Sequence, residues 1–345
     1  MAKTMIHSET SVVMSVYNGA DYLEESISSI LNQTYPCFEF LIINDCSTDH
    51  SKDIILSFRD SRIRLIDNEF NLGLARSLIK GIKFARGEFI ARHDADDISL
   101  PMRLEKQVNY LKRHPHVALI GSRFIVIDEA GNFLFNAYPP SSSAALKREL
   151  SFRDPIAHGS TTFRKICLEK VGTYRAEFKE AEDYDLWLRI SEHFDLAIVP
   201  EFLYKWRFHI ESASISRYSI QSYFAALALQ LHKERLRNGK DRLQLRNQQD
   251  LTGLPEFCID HASLLSKDQI IKNYNMWGIG LLTNNCNQAA VRLFRKSIHL
   301  QRFHMKSWLL LFLAKINSVL PFMPLMKEIY YQYMRFTCLK GELIL

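Results

Sequence analysis

Over the first hundred residues, continuous apolar runs alternate with stretches in which apolar positions recur every three or four residues. Residues 11–17 (SVVMSVY) predict a buried, β-branched strand ended by Asn18-Gly19. Residues 21–32 follow with Leu23, Ile27, Ile30 and Leu31 on one helical stripe. Residues 38–43 predict a second strand, ended by the polar run 44–49, with a helix over about 51–58 capped by one of those polar residues. A short strand at 63–66, a helix over 71–85 with Leu74, Leu78 and Ile82 on one face, and a strand at 88–91 complete the series. Strand alternating with helix predicts a parallel sheet with right-handed crossovers. Because the strands are continuously apolar, both sheet faces are expected to be covered. Such sheets bind ligands outside the carboxyl ends of their strands. The polar clusters 17–19, 44–49 and 94–97 are therefore expected to line one crevice.

Past residue 100 the rhythm changes. Residues 117–127 and 133–138 flank Asp128-Glu129-Ala130-Gly131-Asn132, a hairpin signature. Pro139-Pro140 and three serines form a loop with a helix start, and residues 154–161 form another loop holding a lone His158. A helix over 181–190 opens with Glu182, Asp183 and Asp185, more acids than capping and dipole compensation ordinarily need. From about residue 215 the chain reads as helical, with Tyr274, Gly278, Leu281, Ala290, Phe294 and Ser297 in the register of one TPR-like helical hairpin. Residues 308–313 and 321–333 are apolar and aromatic with Lys and Arg interspersed, which suits either a helical core or a basic surface resting on anionic lipid.

The candidate chemistry centres on Arg92-His93-Asp94-Ala95-Asp96-Asp97, placed between the fourth strand and a helix start at Pro101. Carboxylates two residues apart at a strand end reach the same side, and their oxygens suit Mg²⁺ or Mn²⁺. An EF-hand is excluded by Ile98 and Ser99 at its fifth and sixth positions and by Pro101. Neither GxGxxG nor GxxxxGK[ST] occurs. A nucleotide could instead rest on Tyr17 and Asp45 with its diphosphate on a metal at Asp94 and Asp96. Singly, Tyr17 suits a strand-end core aromatic and Asp45 a turn residue equally well. A carboxylate such as Asp183 at a helix start can serve as a general base.

Composition adds bounds. A chain of 345 residues, 47% hydrophobic and 24% charged, predicts one large globular domain with an appended piece. From Ile270 onward ten basic residues meet two acids, so this tail carries +8 of the net +6 and the remainder is about −2. A nucleic-acid function for the main domain therefore has little support. The six cysteines form no CxxC pair and read as reduced structural thiols. Without a signal-like start or a membrane-length apolar run, a cytoplasmic location is expected.

Residues 11–35 (SVVMSVYNGADYLEESISSILNQTY), 41–51 (LIINDCSTDHS), 71–107 (NLGLARSLIKGIKFARGEFIARHDADDISLPMRLEKQ) and 174–190 (YRAEFKEAEDYDLWLRI), with a closing segment at 204–216, together resemble glycosyltransferase family 2. The resemblance implies an α/β GT-A nucleotide-sugar transferase fold, Rossmann-like with a mostly parallel central sheet. This domain would span 10–216, and residues 217–345 would form an α-helical C-terminal region. It implies that Tyr17 and Asp45 contact the donor base and that Asp94 and Asp96 form a DxD site for Mn²⁺ or Mg²⁺, with His209 a further metal candidate. Asp183 would be the general base with Glu182 beside it, and Arg103 and His158 would line the donor and acceptor clefts. Asn44 departs from the family, which often has a second Asp there.

The function expected is an inverting, metal-dependent hexosyl- or N-acetylhexosaminyltransferase using a UDP-sugar. Its acceptor would be a glycan or lipid-linked oligosaccharide in surface-polysaccharide synthesis, met on the inner face of the plasma membrane. The alternatives are a catalytically silent nucleotide-sugar-binding scaffold, against which the intact Asp94, Asp96 and Asp183 argue, and a nucleotidyltransferase. The second would carry a Gly- and Arg-rich phosphate loop where this chain has Tyr17-Asn18-Gly19-Ala20.

Overall fold

The computed structural model describes residues 8–209, 217–245, 267–283 and 286–317. The chain divides into two compact units: residues 1–125, 136–207 and 228–239 form the first, and 126–135, 208–227 and 240–345 the second.

In the first unit the alternating pattern forms β1 (Thr10–Val16), α1 (Ala20–Leu31), β2 (Phe38–Asn44), α2 (Ser51–Ser57), β3 (Ile63–Asp67), α3 (Leu74–Phe84) and β4 (Phe89–Arg92). β1 pairs in parallel with both β2 and β4, and β2 with β3, giving the order β3-β2-β1-β4. All seven residues of β2 are buried, as continuous apolarity requires when both faces are covered. α1 seats Leu23, Ile27 and Ile30 in one core with Val12 and Met14 of β1 and Phe40 and Ile42 of β2. α3 lies so close to the sheet that a Cβ on Gly81 would come within 2.6 Å of Val13 and 2.7 Å of Ile43. The third helix begins at Leu74, three residues later than the apolar pattern suggests, because Asp45 holds the N–H groups of Leu72 and Gly73 in a loop.

Beyond β4 the sheet is no longer parallel. β5 (Ile98–Ser99) and α4 (Arg103–Arg113) lead to β6 (Val117–Ile127) and β7 (Phe133–Ala137), followed by α5 (Ser143–Leu150). Asp128 builds the turn between β6 and β7, its Oδ1 accepting from the backbone N–H groups of Ala130 and Asn132. Next come a 3₁₀ turn (His158–Ser160), β8 (Thr162–Arg164), α6 (Cys167–Val171), α7 (Glu182–Ser191) and β9 (Asp195–Arg207). β8 runs antiparallel to β4 and β6, and β5 antiparallel to β9, so the full order is β3-β2-β1-β4-β8-β6-β9-β5 with β7 paired to β6. The result is a mixed α/β sheet whose parallel half carries the strand-end loops.

The remaining described helices are α8 (Tyr218–Asn238), α9 (Arg242–Leu245), α10 (Lys267–Thr283), α11 (Asn287–Leu300) and α12 (Met305–Asn317). Gly278 of α10 lies against the Phe294 ring of α11, where any Cβ would collide with it. No described helix is long and apolar enough to cross a membrane. The apolar segment 321–333 lies outside the described residues.

Candidate active site

The three polar clusters at the ends of β1, β2 and β4 meet. Asn18 and Cys46 both take left-handed backbone conformations, φ 52° and 61°, turning the chain sharply as each strand ends. Asn18 Oδ1 accepts from the Thr48 N–H at 2.8 Å, and the Ala20 N–H donates to Asp49 Oδ2 at 3.0 Å, so the first two loops are laced together. Ala95 lies beside Gly19, bringing the third loop against the first.

The Asp-rich loop is fixed from beneath by buried polar groups. Ser26 Oγ of α1 donates to the Asp94 carbonyl at 2.9 Å and lies 3.0 Å from His93 Nε2, so that nitrogen carries the proton and Nδ1 accepts from Ser99 Oγ at 3.2 Å. Burial, with Arg103 and Arg92 nearby, pushes His93 well below the ordinary histidine pKa and keeps it neutral. Arg92 is buried, and its Nη2 meets Asp94 Oδ1 at 2.5 Å. From β9, the Arg207 N–H donates to Asp97 Oδ1 and its Nε to the Asp96 carbonyl, both at 2.7 Å. Tyr204, wholly buried, accepts the Asp94 N–H at 3.3 Å. Against it lies Gly159, where a Cβ would fall onto Tyr204 Oη and within 2.6 Å of Asp94 Oδ2.

The donor set fits part of a hard-cation site. Burial pushes the Asp94 carboxyl up, Arg92 pulls it down, and the charge of Asp96 pushes it up again. Burial and the charges of Asp96 and Asp94 push Asp97 well above the usual carboxylate range. A divalent ion relieves such crowding. Among the described residues no three His, Cys, Asp or Glu side chains converge on one point, so the protein's share would be the two carboxylates. Mg²⁺ sites often have this form, with substrate phosphates and water completing the shell. His209, two residues past β9, belongs to the second unit.

A second acid group stands at the start of α7. Ala181 adopts φ 56° as N-cap, and Asp183 Oδ1 accepts its neighbour's Tyr184 N–H at 2.8 Å. Burial lifts the Asp183 pKa, the Tyr184 N–H opposes it, and the charge of Asp94 adds to the rise, to about 6. Glu182 is buried more deeply and is pushed well above the usual range by burial and by Asp183. His158 Nδ1 lies 3.7 Å from both carboxylates, and its Nε2 is 2.8 Å from Tyr174 Oη. Burial and Arg92 hold His158 well below its ordinary pKa, so the ring is neutral here. Asp185, the third acid of this turn, is structural: it is fully buried and paired with Arg189 at 2.8 Å.

The donor-side candidates separate. Tyr17 is 52% exposed, open to stack on a planar group. Asp45 is buried and already accepts from Asn68 Nδ2 at 2.7 Å, the Leu72 N–H at 2.8 Å and the Gly73 N–H at 2.9 Å. It organises the loop after β3 and keeps one lone pair on Oδ2. Arg103, expected on the cleft, lies behind it: it is wholly buried, and Nη1 donates to the carbonyls of Arg92 and Gly159, both at 3.0 Å. Held through Nη1 by those two carbonyls, with Nε and Nη2 buried and without hydrogen-bond partners among the described residues, and placed over the Tyr204 ring, it braces the Asp loop. Gly159, Tyr204 and Arg207 escaped the sequence reading as site residues, although Tyr204 and Arg207 open the closing segment singled out there.

The parallel half-sheet with its three strand-end loops defines a GT-A-type architecture. The sequence profile of Glycosyl transferase family 2 matches residues 11–170. An uncharacterized glycosyltransferase of Methanocaldococcus jannaschii is 36% identical over 64% of this chain and 78% of its own length. The O-antigen biosynthesis glycosyltransferase WbnJ of Escherichia coli is 32% identical over 62% of this chain and 86% of its own. Among solved structures, S. aureus TarS 1–349 in complex with UDP-GlcNAc superposes with a TM-score of 0.53 at 16% identity, over 90% of this chain and 91% of that one. The chain belongs to glycosyltransferase family 2.

Proposed function

We propose that this glycosyltransferase moves a hexosyl or N-acetylhexosaminyl group from a UDP-sugar to a hydroxyl of a glycan or lipid-linked oligosaccharide, with inversion, in surface-polysaccharide assembly. The observation that carries the reading is the pairing of two acid groups across residues 158–159: His158 Nδ1 lies 3.7 Å from Asp183 Oδ2, and a Cβ on Gly159 would come within 2.6 Å of Asp94 Oδ2. A base and a diphosphate-binding loop so placed can serve the two ends of one displacement. UDP and UDP-GlcNAc complexes of TarS, which shares the fold, support the donor class, and the O-antigen relative supports the polysaccharide setting. Acceptor and enzyme are taken to meet on the anionic inner face of the plasma membrane.

In this reading Tyr17 stacks on the base and the Asp45 loop frames it. Asp94 and Asp96 would hold Mn²⁺ or Mg²⁺, and the ion would supply Lewis-acid stabilisation of the departing diphosphate. Asp183 takes the proton of the acceptor hydroxyl as its oxygen attacks the anomeric carbon. The new C–O bond forms as the bond to the diphosphate oxygen breaks, and the diphosphate departs with the electron pair. A single displacement from the opposite face inverts the anomeric centre. Burial and the charge of Asp183 push the Glu182 carboxyl up, which disfavours a second negative charge beside the base.

The pH dependence tests the assignment. With an Asp183 pKa of about 6, kcat/KM is expected to be flat above pH 7 and to fall about tenfold per unit well below pH 6, as protonation removes the base. Nucleotide release with membrane extract as acceptor source, followed from pH 4.5 to 8, measures it. Activity that stayed level down to pH 4.5 would exclude a base with the raised pKa of Asp183.

A further inference from the structure

The last described helix is apolar on two faces. In α12, Ser307, Leu310, Leu311 and Ala314, spaced i, i+3, i+4 and i+7, are buried, and the helix packs on α11. Met305, Trp308, Leu309 and Phe312 repeat that spacing on another face and are exposed, Met305 by 79% and Phe312 by 60%. Phe303, just before the helix, is 87% exposed. A surface helix ordinarily turns charged and polar residues to water, and a contiguous apolar stripe marks a surface that another body covers.

Charge selects the body. Between Cys286 and Asn317 the sequence carries Arg295, Lys296, Arg302, Lys306 and Lys315, beside Arg292, which pairs with Asp128 at 3.2 Å, and no Asp or Glu. Arg295, Lys296 and His299 line a recess with Tyr274 and Leu300 in the same unit. A second copy would set this positive charge against itself, whereas an anionic surface matches it. The helix has 13 residues, which at 1.5 Å each gives about 20 Å, short of the roughly 30 Å of a bilayer's hydrocarbon core. That described length suits a helix lying in a membrane interface.

We propose that α12 is an in-plane docking element for an anionic lipid leaflet. Trp308, Leu309, Phe312 and Met305 enter the acyl boundary, and Lys306 and Lys315 of the same helix, with Arg302 just before it, engage lipid phosphates. The proposal deepens the membrane setting suggested above, and its support is independent of the transferase chemistry.

The test is co-sedimentation of the full chain with vesicles of phosphatidylcholine alone or mixed with phosphatidylglycerol. Binding is expected to rise with phosphatidylglycerol, to fall with added salt, and to weaken at least tenfold in Trp308→Ser/Phe312→Ser. Arg302→Glu should weaken it as well without removing any apolar contact. Stabilisation by UDP-sugar, measured on the same variants, should be unchanged, so loss of docking and failure of the donor reading are told apart. No binding to the anionic vesicles, or equal binding by the double serine variant, would overturn the proposal. So would a dimer in light scattering that the same variant converts to monomer, because the face would then belong to a second copy.

Discussion

Asp183→Asn is expected to lower turnover by about 10³-fold, within the range general-base catalysis supplies, while UDP-sugar binding and the melting temperature hold. The two outcomes have one cause. Burial raises the Asp183 carboxyl to about 6, so at pH 7 the native state carries an anion that the unfolded chain bears more easily. The sign follows: a carboxylate with a raised folded pKa destabilises the protein fully above that pKa, and the penalty shrinks as pH falls below it and is gone below the unfolded value. A rise of about two units corresponds to on the order of 3 kcal/mol. Asn removes the charge and keeps the shape, so it should melt no lower than the parent at pH 7. Steady-state nucleotide release beside a thermal melt checks both. A variant that lost activity and stability together would make Asp183 a structural residue.

Gly159→Ala should be the most damaging single methyl group in the site. Its Cβ would fall onto Tyr204 Oη and within 2.6 Å of Asp94 Oδ2, and Tyr204 is wholly buried with no room to retreat. Overpacking of this kind typically costs about 1–3 kcal/mol. Here the displaced groups include a carboxylate of the loop proposed to hold the diphosphate, so donor binding should fall further than stability. The closest clash is with the hydroxyl, so adding Tyr204→Phe should return part of the stability. Chemical denaturation of the single and double variants measures this. Parental stability in Gly159→Ala would mean that the 3₁₀ turn yields freely and does not constrain the Asp loop.

The parallel half of the fold was legible because its signal is local. Continuous apolar runs at 11–17 and 38–43 became β1 and β2 within a residue or so. The polar residues ending them could be assigned to one sheet edge by topology alone. The antiparallel half was less legible. β8 has three residues and β5 two, too short for a periodic pattern, and each is held by partners far along the chain. The same distance hid Tyr204 and Arg207, which reach Asp94 and Asp97 from 110 residues away. Arg103 shows the opposite case: an Arg beside an acidic loop suggests a ligand contact, and only its burial and its two carbonyl partners reveal a brace. Gly159 gave no signal, because a glycine required by the far end of another side chain looks like any loop glycine.

The measurement closest to the central claim is thermal stability of the full chain against a panel of nucleotide sugars, with and without Mn²⁺, for the parent and Asp96→Ala. A ligand at a hundred times its Kd adds about 2.7 kcal/mol, a shift of a few degrees for a protein of this size. One UDP-sugar is expected to stabilise the parent only when Mn²⁺ is present, and Asp96→Ala to abolish the shift. Stabilisation that is independent of metal and intact in Asp96→Ala would contradict the assignment of the diphosphate to the Asp94–Asp96 loop.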